Sequence, residues 1–152
     1  MVAGQIAHPC LSIDLAQQKI IEVFRALDDW PERYRYLMDL GRSLAPLSPE
    51  ERVEQARLRG CQSRSWLVAH QDGDGRLHFR AASESAIVSG LLALMLRVYS
   101  GRTPEEILRS EPRFLTESGL GEHLSPHRQT GVAHVLARLR EAAQSAAGVS
   151  SA

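Results

Sequence analysis

A chain of 152 residues is long enough for one domain with a real hydrophobic core, which at this size buries about 68–70% of the unfolded surface. Apolar residues make up 43% and charged residues 24%, and 18 basic residues balance 18 acidic ones, so no net field draws the protein to nucleic acid or to an anionic membrane. The two cysteines, Cys10 and Cys61, belong to no Cys-x-x-Cys pair, which excludes a disulfide-stapled scaffold and a cysteine zinc site.

The opening "MVAGQIAHPCLSIDL" has no basic segment leading into an apolar stretch, so no secretory signal is expected. Residues 1–12 are read as a flexible N-terminal segment. From Ile13 to Leu27 the apolar positions Ile13, Ala16, Ile20, Phe24 and Leu27 fall on one helical face. Asp29, with Pro31 and Glu32 behind it, predicts the cap of a second helix running to about Leu44. Ser48, Pro49 and Glu51 repeat that capping pattern for a third, short helix.

The period changes to two at Ser65. Trp66, Val68 and His70 alternate with Leu67 and Ala69, "DGDG" at 72–75 supplies a turn, and Leu77, Phe79 and Ala81 resume the alternation. A weaker strand signal within 56–60 brings the expected sheet to about three strands. Ser83 reads as the cap of the next helix, in which Ile87, Val88, Leu91, Leu92, Leu94, Met95, Val98 and Tyr99 are apolar around most of the circumference, as a central core helix requires. Its apolar run is too short to span a bilayer and is broken by Ser89, Gly90 and Arg97, so a cytoplasmic protein with reduced thiols is expected. Thr103, Pro104 and Glu106 open a short helix, a loop containing Pro112, Phe114, Gly119 and Gly121 follows, and Ser125-Pro126 starts a last helix packed through Val132, Val135, Leu136 and Leu139. The pattern is that of a single α+β domain over 13–144, a small antiparallel sheet packed with helices, with a flexible tail over 145–152.

Cys61 is the residue that calls for chemistry. Its neighbours are Arg59, Gly60, Gln62, Ser63 and Arg64, with no large apolar side chain among them. A turn entering a strand holds a group near the surface on a rigid support, and Arg59 and Arg64 favour thiolate over thiol. Composition alone leaves this reading open beside the commoner one, a free cysteine packed as a small hydrophobe. A Cys-His hydrolytic dyad has no local support: His123 and His127 can approach Cys61 only through the fold, and nothing marks either as a base. Ser125-Pro126 also separates those histidines, which disfavours a metal pair. "DGDG" lacks the glycine spacing and lysine of a nucleotide loop.

Several motifs then fall in a recognisable order: Trp30, Tyr34 and "YLMDLGRSL" up to 44, "RGCQSRSWL" at 59–67, "SESAIVSGLLALMLRVYSGRTPEEI" at 83–107 and "HLSPHRQTGV" at 123–132. Over about 16–143 the chain resembles the SufE family of cysteine desulfuration proteins. The resemblance implies a SufE/IscU-like fold with a small curved sheet. It implies that Cys61 is the persulfide-forming nucleophile taking sulfur from a pyridoxal-phosphate (PLP) dependent cysteine desulfurase, which the protein stimulates, and that sulfur passes on to an iron-sulfur cluster assembly scaffold or another acceptor. Arg128 matches an arginine after the "HL(S/T)P" turn, an anion or partner contact, and Glu84 matches an acidic position, a loop or partner contact. No cofactor is bound on this reading, since PLP belongs to the partner, and independent enzymatic turnover is not expected. A homodimer stays open, and nucleic acid and membrane are not implied as partners. Ala82, Ser89 and His127 depart from residues found in some members, which bears on partner choice. The alternative within the same fold is a non-catalytic adaptor that activates a different iron-sulfur or sulfur-metabolism enzyme. Cys10 lies outside the resemblance and reads as an incidental thiol.

Overall fold

The computed structural model describes residues 12–60 and 63–148. Cys10 and Cys61 lie outside the described residues, as do the N-terminal segment up to residue 11 and the last four residues of the tail.

Two helices open the fold. In α1 (Ile13–Ala26) the Ser12 hydroxyl accepts the Leu15 N–H as the N-terminal cap, and Ile13, Ala16, Ile20, Ile21 and Phe24 are buried along one face. In α2 (Trp30–Arg42) Asp29 accepts the Glu32 N–H at 3.0 Å, as the capping pattern predicts, but the Glu32 carboxylate reaches back to the N–H of Asp28 rather than that of Asp29. Arg33 fixes the corner between the helices: its Nε donates to the Phe24 carbonyl and its Nη2 to that of Leu27, two acceptors that the end of α1 leaves unpaired. The third helical piece is a single 3₁₀ turn, Pro49–Glu51, whose Glu51 carboxylate accepts the Ser48 N–H, followed by a second one at Glu54–Ala56.

The sheet has two strands among the described residues, β1 (Ser65–Gln71) and β2 (Leu77–Ser83), antiparallel with Ser65 opposite Ser83 and Gln71 opposite Leu77. This corrects the expectation of about three. The segment before Cys61 forms only an isolated bridge from Arg57 to Trp66, with Leu58 N–H donating to the Ser65 carbonyl. Glu54–Ala56 is already turned into a 3₁₀ helix, and Gly60 leaves extended geometry with φ of +81°, so no more than a bridge fits between them. The alternation in the hairpin sends Leu67, Leu77, Phe79 and Ala81 into the main core, while Trp66 packs in a smaller cluster with Leu47 and Ala56.

At the turn, Asp72 Oδ1 accepts the N–H groups of Asp74 and Arg76, and Oδ2 meets His78 Nε2 at 2.7 Å. These contacts, His78 first and the Arg76 N–H next, hold the Asp72 carboxyl below its ordinary value of 3.8. A depressed carboxyl stabilises the fold above its unfolded pKa and loses that contribution as the pH falls through the folded one. Asp72→Asn is therefore expected to flatten the fall in melting temperature on acidification below about pH 4, compared with the unmodified protein. Equal slopes in thermal melts from pH 6 to pH 3 would remove this turn from the acid response.

Helix α3 (Ala86–Tyr99) is the core helix, with Leu92, Leu94 and Val98 fully buried. Its cap is Ser85, which accepts the Val88 N–H, and not Ser83 as the sequence suggests. Ser83 stays in the hairpin because its hydroxyl accepts from Ser65 Oγ, and the Glu84 N–H then pairs with the Arg64 carbonyl, extending strand geometry past the expected start. Helix α4 (Pro104–Arg109) has the full capping box between Thr103 and Glu106. The expected loop after it is two short helices, α5 (Arg113–Glu117) and α6 (Leu120–His123), ordered by Phe114, which is fully buried and whose N–H is accepted by the buried Gln17 Oε1. The last helix, α7 (Pro126–Ala146), starts from Ser125 as predicted and runs slightly beyond 144. No helix among the described residues is long and apolar enough to cross a membrane.

Candidate functional site

Helices α3 and α7 face each other across a cavity. Val88, Leu91, Leu92 and Met95 from α3 face Gly131, Val132 and Val135 from α7 across a cavity of about 100 Å³. Helical spacing selects these residues: 88, 91, 92 and 95 form one i, i+3, i+4, i+7 stripe, and 128, 131, 132 and 135 form another. The floor is apolar, whereas Ser63, Ser125, His127 and Arg128 supply polar groups at the lining. Ser63 is two positions beyond Cys61 in the chain, so the segment that bears the thiol ends at this cavity.

Cys61 itself lies outside the described residues, but both of its approaches are fixed. On one side Gly60 takes φ of +81°, in the left-handed region that favours glycine, and its Cα faces the ring of His134 on α7 so closely that a Cβ there would lie 2.5 Å from Cδ2. On the other side Arg64 leads into β1. Its guanidinium stands 5.5 Å from the Trp66 ring centroid while Arg52 stands 5.2 Å from it, and Arg64 Nε meets a Glu84 oxygen at 3.5 Å.

The sequence-predicted site residues therefore divide. Arg128 and Ser63 share one cavity, and no described carboxylate pairs with the Arg128 guanidinium. Glu84 stands off from that cavity's lining and is tied to Arg64 by side chain and backbone, on the strand side of the Cys61 segment. Because Glu84 answers the Arg64 charge, Arg64 has less to offer a neighbouring thiolate than its sequence position suggests. Of the two histidines weighed as partners for Cys61, His127 reaches the cavity, but His123 is stacked on Trp30 at 3.9 Å between ring centroids with planes 4° apart. His134, which the sequence pattern does not single out, is the imidazole beside Gly60. His134 is exposed on α7 and does not line the cavity, so the periodicity of the helix does not point to it. That Gly60 docks there is written in no local pattern.

Comparison with known proteins is consistent along the chain. A sequence model described as SufE, Fe-S metabolism associated domain, matches residues 18–143. An uncharacterized SufE-like protein of Rhizobium etli is 38% identical over 130 residues, covering 83% of this chain and 88% of its own, and one of Rhizobium meliloti is 36% identical over 130 residues, covering 83% and 93%. The solution structure of a hypothetical protein from Thermus thermophilus superposes with a TM-score of 0.71 at 25% identity, covering 86% of this chain and 95% of that one. A match through nearly all of the folded region, with the α3–α7 cavity and the Cys61 segment inside it, means that the chain belongs to the SufE family.

Proposed function

We propose that Cys61 is a sulfur acceptor: it takes the terminal sulfur of a persulfide on a PLP-dependent cysteine desulfurase, stimulates that enzyme by removing its product, and passes the sulfur to an iron-sulfur cluster assembly scaffold. The observation that carries this reading is the apolar cavity between α3 and α7, lined by Ser63 just past Cys61 and by Arg128, whose cation has no carboxylate partner among the described residues. A persulfide is lost to competing thiols in open water, and an apolar recess with one cation favours its anionic form while limiting their access.

The chemistry needs one thiolate. Cys61 Sγ attacks the terminal sulfur of the donor persulfide, a new S–S bond forms, the donor's S–S bond breaks, and the donor thiolate leaves. No net oxidation occurs and no resident metal or cofactor takes part. Arg128 is assigned to the persulfide anion or to a partner carboxylate, and Glu84 to holding Arg64 beside the Cys61 segment.

The test is intact-mass spectrometry after incubation with the organism's desulfurase, PLP and cysteine, on the unmodified protein, Cys61→Ser and Cys10→Ser. Added sulfur mass is expected on the unmodified protein and on Cys10→Ser, and none on Cys61→Ser. An unmodified protein that gains no sulfur beside a demonstrably active desulfurase would favour the adaptor reading instead.

A further inference from the structure

Ser65 is fully buried, and its hydroxyl has one proton for two acceptors: the Ser63 carbonyl at 3.2 Å and Ser83 Oγ at 2.8 Å. Both lead to the α3–α7 cavity. Ser63 lines it, and its carbonyl receives no other donor among the described residues. Ser83 is tied to the start of α3: its hydroxyl accepts the Ser85 N–H at 3.1 Å and its carbonyl accepts from Ser89 Oγ at 3.3 Å. Ser85 in turn caps Val88, which also lines the cavity. With Ser65 sealed from water, its proton must go to one of the two acceptors, because an unbonded buried hydroxyl bears its full desolvation cost. Ser63 and Ser83 are only half-buried, so being passed over costs either of them less.

We propose that Ser65 is a positioning residue for the cavity: the proton it shares between Ser63 and Ser83 sets how firmly Ser63 is held on the cavity rim. Its bearing on sulfur uptake rests on the reading of Cys61 as the sulfur acceptor, which it deepens. The chain is anchored one residue beyond Ser63, where the Arg64 carbonyl accepts the Glu84 N–H at 3.0 Å, so the Ser65 hydroxyl governs the last step from the hairpin to the rim. The shorter distance to Ser83 favours that acceptor, and the hold on Ser63 is therefore partial. Deleting the Ser83 oxygen leaves the proton only the Ser63 carbonyl and tightens the rim, whereas deleting the Ser65 hydroxyl releases it. A hydroxyl pair that served only to join the strands would loosen Ser63 whichever member was removed.

The test is the carbonyl carbon NMR shift of Ser63 in the isotope-labelled full chain, for the parent, Ser65→Ala, Ser83→Ala, the double variant and Ser83→Thr. A carbonyl carbon moves downfield as its oxygen accepts a stronger hydrogen bond. Ser65→Ala is expected to move the Ser63 signal upfield and Ser83→Ala to move it downfield, while the double variant coincides with Ser65→Ala. Ser83→Thr keeps the acceptor and should match the parent. Upfield movement in both single variants, or none in Ser65→Ala, would overturn the proposal and leave the two hydroxyls as strand pairing. Sulfur uptake in Ser65→Ala is expected to fall about fivefold to tenfold, since a group displaced at the site loses rate steeply. Unchanged uptake beside an active parent would overturn the positioning role. The Ser63 shift needs no desulfurase, so a parent that takes up no sulfur fails the reading of Cys61 while the shift still judges the shared proton.

Discussion

Gly90→Ala is expected to destabilise the protein by about 3 kcal/mol or more, at the upper end of what overpacking a core does. A Cβ at Gly90 would lie 2.2 Å from the Leu37 carbonyl oxygen and 2.6 Å from the Leu37 carbonyl carbon. Both are backbone atoms of α2, so no side chain can turn aside to make room. On the facing helix, a Cβ at Gly41 would lie 2.8 Å from the Gly90 nitrogen, so backbone meets backbone from both sides of this crossing. The substitution must push α2 and α3 apart. Since α3 supplies Val88, Leu91, Leu92 and Met95 to the cavity, the loss should reach the site as well as the core. Urea unfolding would read it directly, and a stability within about 0.5 kcal/mol of the parent would mean that the helices separate freely at this crossing.

Gly60→Ala should have the opposite profile, with modest global cost and a large local one. The left-handed conformation costs a residue with a Cβ about 1–2 kcal/mol, and the new methyl group meets the His134 ring at 2.5 Å. The chain relieves both by shifting the segment that leads to Cys61, and a displacement near 1 Å in a reacting group costs up to about 100-fold in rate. Sulfur uptake is therefore expected to fall roughly 10–100-fold in a protein that still melts cooperatively. Adding His134→Ala removes the collision but leaves the backbone strain, so the double variant should recover only in part. Full uptake in Gly60→Ala would show that the approach to Cys61 is not geometrically demanding.

The parts of this fold that were legible in the sequence are those with a local cause. Capping side chains at Asp29, Thr103 and Ser125 announced three helices, and the two-residue period from Ser65 announced the hairpin. What misled was competition between local signals and tertiary pairing. Ser83 has the chemistry of a cap, but its hydroxyl is taken by Ser65 across the hairpin, and the helix starts later, at Ala86. The 113–123 stretch has too many prolines and glycines nearby to read as helix, yet a distant glutamine, Gln17, accepts the Phe114 N–H and sets it in place. The site followed the same rule. Cys61 stood out through its neighbours and through the family resemblance, whereas the cavity and His134 depend on how α3, α7 and Gly60 meet, which no sequence window contains.

A two-stranded ribbon has two open edges, and exposed edges invite strand addition by other chains. Here each edge is covered at one end. Along β1, Arg57 and Leu58 pair with Trp66 and Ser65. Along β2, Arg102 and Gly101 exchange hydrogen bonds with Leu77, and the Ser100 hydroxyl accepts the Phe79 N–H. The irregular segments that spoil the sheet as a sheet thus serve as guards against edge-to-edge aggregation. One of them is the stretch that leads to Cys61, so a change that frees it would expose β1 and predispose the protein to self-association.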